Sequence, residues 1–313
     1  MIPEEIFNRL RGAAVGAAVG DALGMPLEFG PRQPLTGLVR RMQPGRLPAG
    51  SFTDDTEMAL ALAESLLAKL PLDGDDLARR FVGWYQTNPP DIGLHTASVL
   101  GRIAAGQPWQ QAAEEAQRRN PQSASNGSLM RCWPAALALW NDPVRLAETS
   151  ALQSRVTHMH AECVAGCVFM DHMIARLAVG HSPRQALQAA LREVDLPVGL
   201  RRTIEDAPGS GRESLANSGW VRHTLQSAVW GLLTTDSFEE AVVQVANLGN
   251  DADTAASVAG ALAGAAYGLE AIPSAWREQL RGEYPPGSGQ MWREPQLVQL
   301  ADRLAELSSK PGL

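Results

Sequence analysis

Lysine is almost absent from this chain of 313 residues: only Lys69 and Lys310 occur, so arginine carries nearly all the positive charge. Basic residues total 27 against 34 acidic ones, a formal charge of −7. That balance argues against a general nucleic-acid binder, which needs a basic face. Cysteine is scarce as well. Three cysteines, an odd number in no disulfide-like framework, point to a reducing compartment. Long apolar runs are missing: the longest charge-free run of small residues, 254–269, has 16 residues of mainly Ala and Gly. It is too short and too weakly apolar to cross a bilayer. The opening MIPEEIF is acidic where a secretory leader is positively charged, so the cytoplasm is the expected setting. Runs of β-branched and aromatic residues, the signature of strands, are few, and even Val242-Val243 falls in a helical pattern. Nucleophile and nucleotide motifs are lacking too. There is no G-x-S-x-G, Walker loop or H-E-x-x-H, and Gly209-Ser210-Gly211 lacks the third glycine and preceding strand of a dinucleotide fingerprint. Serine hydrolase, P-loop enzyme and Rossmann oxidoreductase are thereby excluded.

What is abundant is alanine (47 residues) and glycine (29) within a chain that is 45% hydrophobic. Such a chain is globular and long enough for a large core. Helical periodicity runs through residues 56–70, where Met58, Leu62, Ser65 and Leu66 share a face, and recurs at 161–179, 182–195, 223–234, 237–247, 254–268 and 296–308. Ser182-Pro183 and Asp236-Ser237 read as helix starts and Gly180 as a stop. Segments 30–52, 88–93, 119–128, 206–219 and 282–295 are rich in Pro, Gly, Ser and Asn, yet periodicity resumes after each. No helical repeat of the solenoid kind is present. The expectation is an all-α fold forming a single domain over 1–313.

Two segments carry a different signature. Gly12, Gly16, Gly20 and Gly24 recur every four residues, as do Gly260, Gly264 and Gly268. On a helix each set makes a glycine stripe that admits a neighbouring backbone, at about 0.5–1 kcal/mol per glycine relative to alanine. Acidic clusters open two helices: Thr53-Asp54-Asp55-Thr56-Glu57 and Asn250-Asp251-Ala252-Asp253-Thr254. Capping is the ordinary role of such residues. Two hydroxyl-plus-paired-carboxylate clusters exceed what caps require, and the surplus carboxylates repel one another unless cations compensate. Hard divalent ions, Mg²⁺ or Mn²⁺, take such oxygen donors. Thr53, Asp54, Asp55, Asp251, Asp253 and Thr254 are the candidate ligands, completed by water and substrate oxygens as in a catalytic metal pair. An EF-hand is excluded for want of its 12-residue loop.

Other polar features are weaker. Asp21 reads as a structural acid at a helix end, Glu28 as a carboxylate among apolar residues, and Asp91 as part of the rigid turn Pro89-Pro90-Asp91-Ile92-Gly93. The loop 125–131 enters a helix with backbone N–H groups that could receive phosphate oxygens. A rival zinc site is conceivable from His158, His160, Cys163, Cys167 and His172, but the cysteines fit the buried face of a helix and lack paired C-x-x-C spacing.

These residues resemble the ADP-ribosylglycohydrolase family, which includes ADP-ribosylarginine hydrolases. The matching motifs run in order along nearly the whole chain: G-x-x-x-G-D-A-L-G at 16–24, T-D-D-T at 53–56, D-I-G at 91–93, N-G-S-L-M-R at 126–131, T-H at 157–158 and G-N-D-A-D-T at 249–254. The resemblance implies an all-α, single-domain orthogonal helical bundle with a centre of two divalent cations, Mg²⁺ or Mn²⁺, held by Thr53, Asp54, Asp55, Asp251, Asp253 and Thr254. It also places Glu28, Asp91, the loop Asn126, Gly127, Ser128, Leu129 and Met130, and His158 near ADP-ribose. Asn250 stands where the family often has glycine, and Met159-His160 follow the Thr-His where proline is common.

The expected activity is hydrolysis of the bond between C1 of the distal ribose of ADP-ribose and an acceptor, by default an arginine side chain. Asp91 and Glu28 are the candidate acid/base residues, the 126–130 loop the phosphate or ribose cradle, and 206–219 and 282–295 the rims or lids. A two-metal phosphoesterase and an inactive ADP-ribose binder are the alternatives. Expected partners are an ADP-ribosylated protein or small ADP-ribose conjugate, with no membrane, nucleic acid disfavoured, and a monomeric chain. Two divalent ions would bring the formal −7 to −3, so much of the acidic surplus is local to one site. The small residues are expected to bring the two ligand-bearing helices together at their acidic N-termini.

Overall fold

A computed structural model describes residues 2–308; Met1 and 309–313, the ends of the span assigned to one domain, lie outside the described residues. Among them are fifteen α-helices, five short 3-10 turns and one hairpin, in which Gly282–Glu283 pairs antiparallel with Met291–Trp292. The all-α expectation holds. No described helix is long and apolar enough to cross a membrane.

The architecture is organised by the two glycine-rich helices, Glu4–Gly24 and Ala252–Tyr267. From Gly12 to Gly24 and from Ala252 to Ala265 every residue is buried, as expected of helices with apolar or small residues on all faces. A Cβ placed on Gly12, Gly16, Gly20 or Gly24 would lie 2.3, 2.3, 2.0 and 2.4 Å from the carbonyl oxygens of Gly264, Gly260, Ala256 and Ala252. The partner number falls by four as the first rises by four, so the helices run antiparallel with backbone against backbone. Helices Phe238–Ala246, Val221–Thr234, Ala161–Ala178 and Glu294–Leu307 pack around this pair.

The seam explains where the site sits, and it corrects one expectation. The close-packed pair is Glu4–Gly24 with Ala252–Tyr267, not the two helices that begin with acidic clusters. The helix Asp54–Ala68 is joined to the seam chiefly through Asp21, with the Thr254 hydroxyl adding a bond to Asp55 at 3.3 Å. The buried Asp21 carboxylate accepts from the Thr53 N–H at 3.0 Å, the Thr53 hydroxyl at 2.9 Å, the Thr56 N–H at 3.2 Å and the Thr56 hydroxyl at 2.6 Å. The C-terminal end of the first helix therefore holds the start of the second beside the start of Ala252–Tyr267. Trp84 fixes the other flank, donating its indole N–H to the buried Glu57 carboxylate at 2.7 Å.

The predicted boundaries at Ser182 and Ser237 are seen as side-chain N-caps, and Gly180 takes φ 94° after the helix end. Gly268 is not part of the stripe on the helix but its C-cap, at φ 85°. The zinc alternative is not supported. Cys163 and Cys167 are buried on the core face of Ala161–Ala178, the His160 Nδ1 accepts the Glu162 N–H at the head of that helix, and His172 pairs with Glu193 at 3.1 Å.

Candidate active site

The antiparallel seam ends at a cleft of about 740 Å³ lined by Glu28, Asp54, Asp55, Asp91, Asp251, Asp253 and Thr254 among others. Of the six predicted ligands, five reach this wall. Thr53 stands behind it, its hydroxyl donated to Asp21 and its oxygen lone pairs still open to a second partner. Thr53 and Asp251, at the N-cap positions, make no side-chain capping bond, and only Asp253 meets a first-turn N–H of its own helix, that of Thr254 at 2.8 Å. Capping therefore does not account for the whole set of acids.

The loop carrying Asp251 is tightly specified. Gly249 has φ 70°, and a Cβ there would meet the Gly30 carbonyl oxygen at 2.6 Å, so only glycine fits. Asn217 donates its side-chain N–H to the Gly249 carbonyl at 2.6 Å, and its own carbonyl accepts the Asp251 N–H at 3.3 Å. Segment 206–219 is therefore a buttress of this loop rather than a lid, reaching the cleft only through Gly219. Segment 282–295 does not line the cleft, because it folds into the hairpin, where Tyr284 is buried and its ring meets Trp292 edge-on.

The carboxylates burden one another. Burial pushes the Asp21 and Asp251 carboxyls from 3.8 up to about 7, with neighbouring Asp253 adding to both. Burial and the adjacent acids hold Asp54 and Asp55 well above the usual range, and Asp91 and Asp253 are raised by burial with Arg46 opposing. Asp55 Oδ1 is buried with no hydrogen-bond partner. An unpartnered hard oxygen facing other acids is what a divalent cation would satisfy, so the residues present fit such a group.

One cation enters the acidic cluster itself, beyond Arg102 and Arg119 elsewhere in the cleft lining, and sequence reasoning missed it. Arg46 pairs with Glu28, with Asp91 and, at 3.0 Å, with Asp253 Oδ2. Oxygens of those three acids lie within 4.8 Å of one another. The predicted ligand set and this cluster overlap only at Asp253. Arg46 gave no signal in the sequence, being one arginine in a Pro- and Gly-rich loop.

The predicted substrate loop divides. Asn126, Gly127 and Met130 line the cleft, whereas Ser128 and Leu129 are buried behind it, the Ser128 hydroxyl meeting Ser154 at 2.9 Å. The Asn126 side-chain amide donates to Thr224 at 2.8 Å and to Asp251 Oδ2 at 2.5 Å, so it orients a carboxylate. His158 is also behind the wall. Its ring nitrogens meet Thr157 at 2.7 Å and Ser125 at 3.0 Å, burial holds its pKa well below the usual value, and its ring packs against His95, which does line the cleft.

A pH dependence follows. In the folded chain the Asp21 and Asp251 protons are held to about 7, whereas the unfolded chain releases them near 3.8. The folded state then binds more protons across that window, so metal-free stability falls as pH rises through it. In chelator, the melting temperature should be higher at about pH 5 than at about pH 7.5, and added Mn²⁺ should shrink the difference. Thermal melts with and without the ion check this; a chelated protein equally stable at both values would contradict it.

Comparison with known proteins gives this geometry its context. A family model described as ADP-ribosylglycohydrolase matches residues 2–313. The chain is 35% identical over 289 residues to an ADP-ribosyl-(dinitrogen reductase) glycohydrolase of Rhodospirillum rubrum, covering 90% of this chain and 92% of that protein. It is 35% identical over 292 residues to the ADP-ribosylarginine hydrolase Tri1 of Serratia proteamaculans strain 568, covering 90% and 77%. A solved structure described as an ADP-ribosylglycohydrolase-related protein complex superposes with a TM-score of 0.81 at 35% identity, over 98% of this chain and 100% of that one. With a carboxylate-lined cleft built at the end of the same fold, the chain belongs to the ADP-ribosylglycohydrolase family and is a hydrolase of ADP-ribose glycosidic bonds.

Proposed function

We propose that this enzyme releases ADP-ribose from arginine side chains in a metal-dependent reaction. The observation that carries the metal dependence is the unpartnered, buried Asp55 Oδ1 among four neighbouring acids, Asp21, Asp54, Asp251 and Asp253. Asp54, Asp55, Asp251, Asp253, Thr53 and Thr254 would hold two divalent cations, Mg²⁺ or Mn²⁺, which when bound supply Lewis acidity and an acidified water. The arginine acceptor is supported by the relatives' names and by the Glu28 and Asp91 carboxylates, which already accept a guanidinium, that of Arg46.

The chain's own residues account for the remaining steps. Hydrolysis breaks the bond from C1 of the ribose to the acceptor nitrogen and forms one from C1 to a water oxygen; the water loses a proton and the departing nitrogen gains one. Asp91 is the proposed proton carrier. Its carboxyl is raised by burial, it lines the cleft, and it is open enough to solvent to exchange its proton. Glu28, more deeply buried, orients the acceptor. The backbone N–H of Gly127, which lines the cleft, makes no hydrogen bond among the described residues and is the proposed cradle for a phosphate or ribose oxygen. His95 and His158 back that loop.

The test is a panel of arginine-, serine- and O-acetyl-linked ADP-ribose conjugates offered to wild type and to Asp91→Asn. Arginine linkages should be cleaved fastest, and Asp91→Asn should lower kcat by about 10²–10⁴-fold while ADP-ribose still binds. Faster cleavage of the serine linkage would overturn the acceptor assignment. A fully active Asp91→Asn would overturn the proton carrier.

A further inference from the structure

Phe29 is placed against its own interests. Its ring is 82% exposed, although phenylalanine is among the residues most often buried. Its backbone sits at φ 59°, in the left-handed region that side chains bearing a Cβ enter at a cost. The turn is locked from outside. The Phe29 N–H donates to the Asn250 carbonyl at 2.6 Å, and the Asn250 N–H donates to the Gly30 carbonyl at 2.8 Å, with Asn250 itself at φ 58°. Glycine would make this turn without strain and asparagine with little, so the turn does not explain the phenylalanine. Phe29 instead lines the cleft, next in the chain to Glu28, in a lining that also includes Asp54 and Asp91.

A guanidinium is already present at this rim. Arg46 donates to both Glu28 and Asp91. Guanidinium is planar and weakly hydrated, so it can lay its face on an aromatic ring while carboxylates take its edge N–H groups. An aromatic ring in the same cleft as two carboxylates therefore suits one chemistry: an arginine side chain arriving from solvent that competes with Arg46 for the carboxylates and lays its face on the ring.

We propose that Phe29 is a specificity-determining residue whose ring receives the acceptor guanidinium of the substrate, with Glu28 and Asp91 binding its edge. The assignment rests on the arginine acceptor proposed above. The strain at Phe29 is then explained by binding, since the left-handed turn is what carries the residue into the cleft lining.

The experiment compares wild type with Phe29→Gly and Phe29→Trp. For Phe29→Gly, KM on an ADP-ribosylarginine protein should rise about tenfold, with the effect falling on KM rather than kcat. The affinity for free ADP-ribose should change less than about twofold, and the melting temperature should stay equal or rise as the strain is relieved. Phe29→Trp should keep the wild-type KM. An ADP-ribose affinity that falls as far as the substrate's would overturn the proposal, because the ring would then serve the nucleotide; so would an unchanged KM. Agmatine, a guanidinium without ADP-ribose, separates this proposal from the acceptor assignment. It should bind the Mg²⁺-loaded wild type about tenfold more tightly than Phe29→Gly, whichever linkage is turned over. Equal agmatine binding sinks the role of Phe29, whereas a wild type that cleaves only other linkages sinks the acceptor assignment.

Discussion

Asp253→Asn is expected to lower ADP-ribose release by at least about a thousandfold while leaving the fold intact. Asp253 is the one residue shared by the predicted ligand set and the cluster gathered around Arg46. Its Oδ1 accepts the Thr254 N–H at 2.8 Å, which fixes the carboxylate at the head of the Ala252–Tyr267 helix, and its Oδ2 faces Arg46. Asparagine keeps the shape and removes the charge, so cation binding should fall with activity. The stability signature runs the other way. Asp253 raises the Asp21, Asp54, Asp55 and Asp251 carboxyls by repulsion, and relieving that repulsion should leave the chelated variant at least as stable as chelated wild type near neutral pH. A structural role alone would give lower stability and modest loss of activity. Kinetics together with melts in chelator separate the two, and activity within tenfold of wild type would remove Asp253 from the reaction.

The second large effect belongs to the glycine seam. A Cβ on Gly264 would sit 1.9 Å from the Gly12 carbonyl oxygen, and one on Gly24 would sit 2.4 Å from the Ala252 oxygen and 2.5 Å from the Asp253 Cα. These contacts are with backbone, so no side chain can swing aside, and each alanine must push two helices apart. Overpacking usually costs about 1–3 kcal/mol, and a backbone clash lies at or above the top of that range. Gly264→Ala, at the end of the seam remote from the cleft, should lower the melting temperature by roughly 6–12 °C with activity largely kept at low temperature. Gly24→Ala should match that loss of stability and lose most of its activity as well, because the atom it displaces carries Asp253. Gly83 is the control. It is exposed within the helix Gly74–Gln86 with nothing within 4 Å of a Cβ, so Gly83→Ala should stabilise by about 0.5–1 kcal/mol. Melting curves and initial rates on the three variants decide the matter; equal activity in Gly24→Ala and Gly264→Ala would contradict the link between seam and site.

The fold was legible wherever one residue type repeated at helical spacing. Glycines four apart announced the seam, and two acidic clusters opening apolar helices announced the cleft. What sequence spacing could not convey is which helices meet. The seam pairs the first helix with Ala252–Tyr267, and the Asp54–Ala68 helix is tied to them by the hydrogen bonds of Asp21, a residue with no periodic signature, and by the Thr254 hydroxyl on Asp55. Arg46 was invisible for the same reason, since its three partners lie 18, 45 and 207 positions away. Helix Gly74–Gln86 was also missed. Its buried Leu77, Ala78, Phe81 and Trp84 fall at helical spacing behind the cap Asp73, whose carboxylate accepts the Asp75 and Asp76 N–H groups, so the signal was present in the sequence. His158 stands behind the cleft wall, and Asn126 lines it with its amide already engaged by Thr224 and Asp251, because a motif does not say which atoms its neighbours have already engaged.

The central claim is that the acids at the end of the glycine seam form a metal-dependent site that frees ADP-ribose. The most direct measurement incubates an arginine-ADP-ribosylated protein with this enzyme and Mg²⁺ or Mn²⁺ and follows free ADP-ribose. The predicted result is release that stops on addition of EDTA, resumes with excess divalent ion, and is absent in Asp253→Asn. Release indifferent to EDTA would contradict the account, as would AMP as the product or ADP-ribose binding without turnover under any divalent ion.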